Sequence, residues 1–129
     1  MITPIDAVRT WLEADSNWAG YQFSLARGIW RDSPTNMAKR LASLSMSPGG
    51  RAPGASQTYT LVSLILLGPQ EGTADAPAIE QIAVNLRERL FTDYKTCDVA
   101  QIRLVGGIIG PGYTAEDRPW YELNLEVLT

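Results

Sequence analysis

The segment from Arg118 to Val127, RPWYELNLEV, alternates strictly between two kinds of residue. The first set is apolar or aromatic and contains Tyr121, Leu123, Leu125 and Val127. The second set is mostly polar and contains Trp120, Glu122, Asn124 and Glu126. Because successive side chains of a strand point to opposite faces, this pattern predicts a strand whose two faces have different surroundings. One face is expected in the core, and the other faces water or another molecule.

The size and composition of the chain predict one globular domain over residues 1–129. Its 129 residues are 45% hydrophobic and 19% charged, which is typical of a folded protein and not of a disordered one. A net charge of −3 argues against general nucleic-acid binding. The longest apolar run, Leu61–Leu67, is far too short to cross a bilayer, so we expect no membrane partner.

Two segments have the signature of amphipathic helices. TPIDAVRTWLEAD offers Thr3 as N-cap and Pro4 at the first helical position, followed by apolar residues at helical spacing. APAIEQIAVNLRERLF, from Ala76 to Phe91, follows the start signals Thr73, Asp75 and Pro77. Each helix has one apolar stripe, which is expected to pack on a sheet.

Strand patterns occupy much of the remaining chain. Alternation or continuous apolar character predicts strands in Gly20–Trp30, Thr58–Gly68 and Val99–Gly110, and a fourth is favoured in Ala38–Met46. Gly110–Asp117 is expected to be the turn before the last strand. The order of elements therefore predicts an α+β fold: a mostly antiparallel, four- to five-stranded sheet with two helices packed on one face.

Ser47–Gln57, SPGGRAPGASQ, contains three glycines and two prolines between two predicted strands. Such a composition does not support a helix or a central strand. We expect a long, flexible hairpin arm at 47–57. It is either a solvated loop or an arm that becomes ordered against a neighbouring molecule.

Catalytic signatures are weak in this sequence. The absence of histidine removes the common Ser-His-Asp and Cys-His arrangements and the commonest metal ligand, and Cys97 is the only cysteine. Glu122 and Glu126 would lie about 13 Å apart on one strand, beyond the roughly 5–9.5 Å of glycosidase carboxylate pairs. GGIIGPG, Gly106–Gly112, lacks the lysine of a phosphate-binding loop. We therefore predict no catalytic residue, metal site or cofactor.

Charge and aromatic residues point instead to an interface, with ordinary solvated surface as the alternative. Basic residues concentrate between positions 27 and 51, and acidic residues concentrate near the last strand. Opposite patches of this kind can direct head-to-tail association, and tryptophan and arginine are common interface anchors. The residues predicted to contact a subunit or a partner are Arg27, Trp30, Arg31, Lys39, Arg40, Arg51, Arg118, Trp120, Glu122, Asn124 and Glu126.

The layout resembles the tail terminator and tail-completion proteins of long-tailed bacteriophages. The matching segments, in chain order, are IDAVRTWLEA, RGIWRD, TYTLVSLILLG, DAPAIEQIAVNLRERLF and the ending EDRPWYELNLEV. The acidic turn followed by Arg-Pro-Trp-Tyr and an alternating strand is the most specific of these features. The resemblance spans nearly the whole chain.

This resemblance implies a structural virion protein without enzymatic activity. Such proteins form a ring, usually a hexamer, that caps the tail tube, stops tube polymerisation and offers a surface for joining the head. The implied partners are other copies of the chain, the tail tube protein and head–tail connector or neck proteins. The implied location is the virion tail or neck, after assembly in the host cytoplasm. DNA can pass through such a ring, but no specific nucleic-acid binding is implied.

Other functions fit the residues as well. The chain could be another neck or head–tail connector protein, or a small cytoplasmic ligand-binding domain whose open sheet face binds a small molecule. An enzyme that works without histidine is the third alternative.

Overall fold

A computed structural model describes residues 3–27, 39–50, 59–69, 75–93, 95–96, 100–115 and 117–128. Their elements, in chain order, are α1 (Pro4–Glu13), α2 (Trp18–Tyr21), β1 (Phe23–Arg27), β2 (Arg40–Gly50), β3 (Tyr59–Leu67), α3 (Ala76–Leu90), β4 (Lys95–Thr96), β5 (Ala100–Leu104), β6 (Ile109–Tyr113) and β7 (Pro119–Leu128).

Both long helices begin where their capping residues predict. Thr3 precedes α1, and its Oγ1 accepts a hydrogen bond of 3.2 Å from the backbone N–H of Asp6. Asp75 is the N-cap of α3, and a proline follows within the first two helical positions. The apolar stripes are buried as expected, with Trp11 and Leu86 almost fully enclosed.

The two helices are tied together at one end. The indole Nε1 of Trp11 donates a hydrogen bond of 2.5 Å to the carbonyl of Asp93, just beyond α3. The guanidinium of Arg89 lies 4.0 Å from the centroid of the Trp11 ring, in cation–π geometry. This contact fixes α1 beside the end of α3.

The sheet is built around β7. Its strands follow the order β1-β2-β3-β7-β5-β4, and β6 also pairs with β7. One side of β7 pairs with β3 along nearly its whole length. The other side is shared, because β6 pairs with the first residues of β7 and β5 with the last four. The last predicted strand is therefore central to the sheet.

The sheet is mixed, and this corrects the expected topology. Every described pairing is antiparallel except β1 with β2, which is parallel. Strand alternation is the same in both arrangements, so it does not reveal direction. The twelve residues between Arg27 and Arg40 match the length that a crossover between parallel strands requires.

The predicted counts of four to five strands and two helices were also too low, because the described residues contain seven strands and a third, short helix, α2. The segment Val99–Gly110, predicted as one strand, is divided between β5 and β6. The chain bends at Gly106, whose φ of 75° suits glycine. The predicted turn Gly110–Asp117 was wrong in its first half, where Gly110–Tyr113 belongs to β6.

The first predicted strand begins later than expected. Tyr21 belongs to the short helix α2, which ends at Gln22 in the left-handed conformation (φ 61°). The ring of Trp18 in α2 stacks on Phe23 at the start of β1, with 5.3 Å between the ring centroids. This aromatic contact, which sequence alternation could not show, stabilises the turn from helix to strand.

The structure describes only the first residues of the predicted arm at 47–57. Ser47–Gly50 belongs to β2, and the register between Ser47 and Gly50 shifts opposite β3, as in a β-bulge. Among the described residues, β1 pairs with Arg40–Leu44, and no strand pairs with Ser47–Gly50 on that side, where a proline is tolerated. Residues 51–57 lie outside the described residues.

The core lies between the helices and one face of the sheet, as expected. Its cluster joins the stripes of α1 and α3 to the strand residues Ala42, Leu44, Val62, Leu64, Leu66, Ile102, Tyr121, Leu123, Leu125 and Val127. The opposite face of the sheet is called the outer face below. Among the described residues, no helix combines the length and apolar character needed to cross a bilayer.

Candidate interaction surface

On the outer face, register partners on neighbouring strands lie side by side, with β7 and β3 next to each other. The β7 column is half-buried and contains Trp120, Glu122, Asn124, Glu126 and Leu128. Their partners on β3 are Leu67, Ile65, Ser63, Leu61 and Tyr59. The structure thus places Trp120, Glu122, Asn124 and Glu126 on one face, as the alternation predicted.

One corner of the outer face is enclosed within the chain. Leu41, Ser43 and Leu67 have at most 4% of their surface exposed. They lie at the start of β2 and the end of β3, which pair with each other. Only the remaining part of the outer face is therefore open to a partner.

Glu126 has an ionic partner on the neighbouring strand. Arg103 of β5 lies directly opposite Glu126 in the register, and Arg103 Nη2 is 2.6 Å from Glu126 Oε1. The Arg103 side chain is 70% exposed, whereas that of Glu126 is only 17% exposed. The pair neutralises one carboxylate and leaves an accessible guanidinium at the edge of the face.

Glu122 has a different kind of partner. Ser63 of β3 donates a hydrogen bond of 2.6 Å from its Oγ to Glu122 Oε1. Among the described residues, no cation lies within salt-bridge distance of Glu122. The centre of the outer face therefore carries negative charge that a cationic partner would complement.

Trp120 lies against a glycine. It pairs with Gly112 of β6, and a Cβ atom at Gly112 would overlap the indole ring of Trp120. Ile109 lies in β6, like Gly112, and pairs with Glu122 of β7; it is 45% exposed. The indole, the isoleucine and the Glu122 carboxylate form one surface with apolar and acidic parts.

Arg118, predicted at the interface, is completely buried. Its Nε donates 2.9 Å to the carbonyl of Gly68, and its Nη2 donates 2.7 Å to the carbonyl of Lys39. These bonds tie the start of β7 to the end of β3 and the approach to β2. The structure thus gives Arg118 an internal role.

Arg40, also in the predicted basic patch, turns towards the helices. Its Nε and Nη2 donate to both carboxylate oxygens of Asp75 at 2.9 and 2.7 Å, and its Nη1 donates to the carbonyl of Tyr21. The hydrogen bond to Asp75 raises the pKa of Arg40, against the lowering effect of burial. The Asp75 carboxylate accepts hydrogen bonds from Arg40 and makes no capping bond to α3.

The other residues of positions 27–51 that were predicted at the interface are only partly described. Lys39 is exposed at the approach to β2, and Arg27 is the last residue of β1, with its side chain outside the description. Trp30, Arg31 and Arg51 lie outside the described residues. The described residues therefore do not show a basic patch.

A shallow cleft of about 350 Å³ opens where α3 ends beside β5. It is lined by Leu90, Phe91, Gln101, Ile102, Arg103, Leu104 and Leu128. Phe91 is 69% exposed at its rim.

Within the described ranges, no three side chains come together in a way that could hold a metal ion.

Comparison with models of known families identifies the family of this chain. The family model described as phage tail termination protein matches residues 1–129. The chain belongs to the phage tail termination protein family. It is therefore a structural protein of the phage tail, and the resemblance noted in the sequence is confirmed. No curated protein matches the chain significantly.

Sequence reasoning missed several residues of this tail termination protein's outer face. Gly112 was assigned to a turn, although it forms the floor under Trp120. Ser63 and Arg103 were not singled out, although both contact the glutamates of β7. Alternation along each strand placed Ser63 and Arg103 on a face, but only the register between strands shows which side chains meet.

Proposed function

We propose that this protein forms a homo-oligomeric ring, expected to be a hexamer, on the end of the tail tube. The ring stops further polymerisation of tube subunits and offers a surface to the head–tail connector or neck proteins. It acts by binding and not by catalysis. Its place is the tail or neck of the virion, after assembly in the host cytoplasm.

The open part of the outer face is the observation that carries this proposal beyond the family. It combines half-buried apolar side chains with Glu122, a carboxylate that no described cation neutralises. A sheet face of this composition suits a contact between proteins better than bulk water.

A closed ring needs two different, complementary patches on each copy. The outer face supplies one, through the negative charge of Glu122 beside Asn124 and the Arg103–Glu126 pair. The second is the basic segment with Arg27, Arg31 and Arg51, which lies apart from it in the sequence. Head-to-tail contact would place the positive patch of one copy on the negative patch of the next.

Loss of the gene separates a terminator from another neck protein. Infected cells that lack a terminator are expected to accumulate tails of uncontrolled length, visible by electron microscopy. A connector or other neck protein would instead leave tails of normal length that fail to join heads. Normal tails joined to heads would contradict both functions.

Charge reversal tests the proposed interface directly. Glu122→Lys is expected to weaken self-association by about tenfold or more, because it places like charges in contact. Glu88→Lys is the matched control, since Glu88 is exposed on α3 on the other side of the molecule. Sedimentation velocity over a concentration series measures both, on isolated protein and on purified tail tubes.

A second reversal checks the complementary patch. Arg31→Glu or Arg51→Glu alone should weaken association and make it less sensitive to salt. Combining Glu122→Lys with the matching arginine reversal should restore much of the association, because opposite charges meet again. Equal association of wild type and all single variants would contradict the charge complementarity.

A further inference from the structure

We infer that Gly112 is a positioning residue, which holds the indole of Trp120 as a preformed anchor for an arginine of a second copy. This inference rests on the proposed function, because it specifies how the outer face meets the next subunit. It assigns the binding role to Trp120 and a supporting role to Gly112.

The close approach of two strands is the first step. Gly112 and Trp120 are register partners in β6 and β7. No side chain larger than hydrogen fits at Gly112, since a Cβ atom would overlap the indole. The glycine therefore lets the indole lie across β6 where any other residue would displace it.

The backbone directly before Trp120 is also fixed. The N–H of Gly68 donates 2.8 Å to the carbonyl of Pro119, and the buried Arg118 donates 2.9 Å to the carbonyl of Gly68. Trp120 also faces Leu67, which is fully buried. The indole is thus held from β3 and from β6 before any partner arrives.

A held indole binds at lower entropic cost. Ordering a rotamer-rich side chain at an interface costs conformational entropy, which a preformed anchor avoids. Trp120 remains half-buried, so it is not fully enclosed within its own chain. Large, rigid aromatic side chains of this kind often dominate the energy of an interface.

The surroundings of Trp120 select a cation. Glu122 lies on the same face two residues along β7, about 7 Å away by strand geometry. An aromatic face beside a carboxylate attracts a guanidinium through cation–π and ionic contacts together. The basic segment of a second copy, rich in arginine, offers this group.

A double-mutant cycle tests the inference. Trp120→Ala and Gly112→Ala are each expected to weaken association by about tenfold or more, the first by removing the anchor and the second by displacing it. In the Trp120→Ala background, Gly112→Ala should add no further loss, because no indole remains to displace. Sedimentation velocity, well below the unfolding temperature, measures all four proteins.

Gly107→Ala is the matched control. Gly107 lies between β5 and β6, and a Cβ atom there would meet nothing within 4 Å. Its association should equal that of wild type. Thermal unfolding of every variant is measured in parallel, and Trp120→Ala should relieve any stability loss that Gly112→Ala causes.

The outcomes separate the two proposals. A wild type that stays monomeric, alone and on purified tail tubes, overturns the proposed function and this inference with it. A wild type that associates normally, but whose Gly112→Ala variant associates equally well, overturns the inference alone. A loss from Gly112→Ala that persists in full without the tryptophan does the same.

Discussion

Leu123 and Asn124 are neighbours in β7, yet they lie in different environments. Leu123 is fully buried between the sheet and the helices, whereas Asn124 is half-buried on the outer face. The same contrast repeats along the strand, where every second residue belongs to the core. One strand thus serves folding through one face and leaves the other face partly exposed.

The charged residues follow the same division. Arg40 is bound to Asp75 on the helix side, with both side chains about three-quarters buried. On the outer face, Arg103 is paired with Glu126 but remains largely exposed. Charges on the helix side hold elements of one chain together, and charges on the outer face remain accessible to another molecule.

The largest expected effect is on the core side of β7. Leu123→Ala should lower the free energy of unfolding by about 2–5 kcal/mol, because it removes buried methyl groups and leaves a cavity. Asn124→Ala, one residue away, should change it by less than about 1 kcal/mol. Urea denaturation of both variants measures the difference. Equal losses would abolish the distinction between the two faces.

A smaller effect is expected at the buried ion pair. Arg40→Met should cost about 1–3 kcal/mol of stability, because the Asp75 carboxylate loses its two charge-assisted hydrogen bonds. Arg9→Met provides the comparison, since the Arg9–Glu13 pair on α1 is about half exposed. It should cost no more than about 0.5 kcal/mol. Self-association of Arg40→Met should match wild type, and a loss there would place Arg40 in the interface.

The smallest expected effect concerns pH. Burial, with the charges of Glu80 and Tyr113, raises the pKa of Tyr121 above its ordinary value of 10.0. Above about pH 10 the unfolded chain therefore releases this proton while the folded chain retains it, so stability falls as pH rises. The free energy of unfolding of Tyr121→Phe, measured by urea denaturation, should fall less between neutral and alkaline pH than that of wild type. An identical slope would mean that Tyr121 does not contribute.

The local parts of the fold could be predicted from sequence. Thr3, which caps α1, and Asp75 with Pro77, which begin α3, marked the helix starts, because such signals lie within a few positions of the first turn. The alternation in β7 correctly separated Trp120 and Glu122 from Leu123 and Tyr121. The family resemblance followed from the order of these elements and is confirmed over the whole chain.

The candidate surface was predicted less completely. The β7 residues share one face as expected, but two of the basic residues grouped with them do not join it. Arg118 is buried against backbone carbonyls, and Arg40 turns to Asp75. Charge and position in the sequence could not distinguish an arginine that satisfies buried carbonyls from one that awaits a partner.

The sequence by itself determined which residues of each strand share a face and where the long helices begin, because these depend on the period of the backbone and on near neighbours. Only the tertiary structure decided that β1 runs parallel to β2 and that Gly112 lies beneath Trp120. Strand partners and registers are set by the joint packing of distant segments, and no local pattern contains that information.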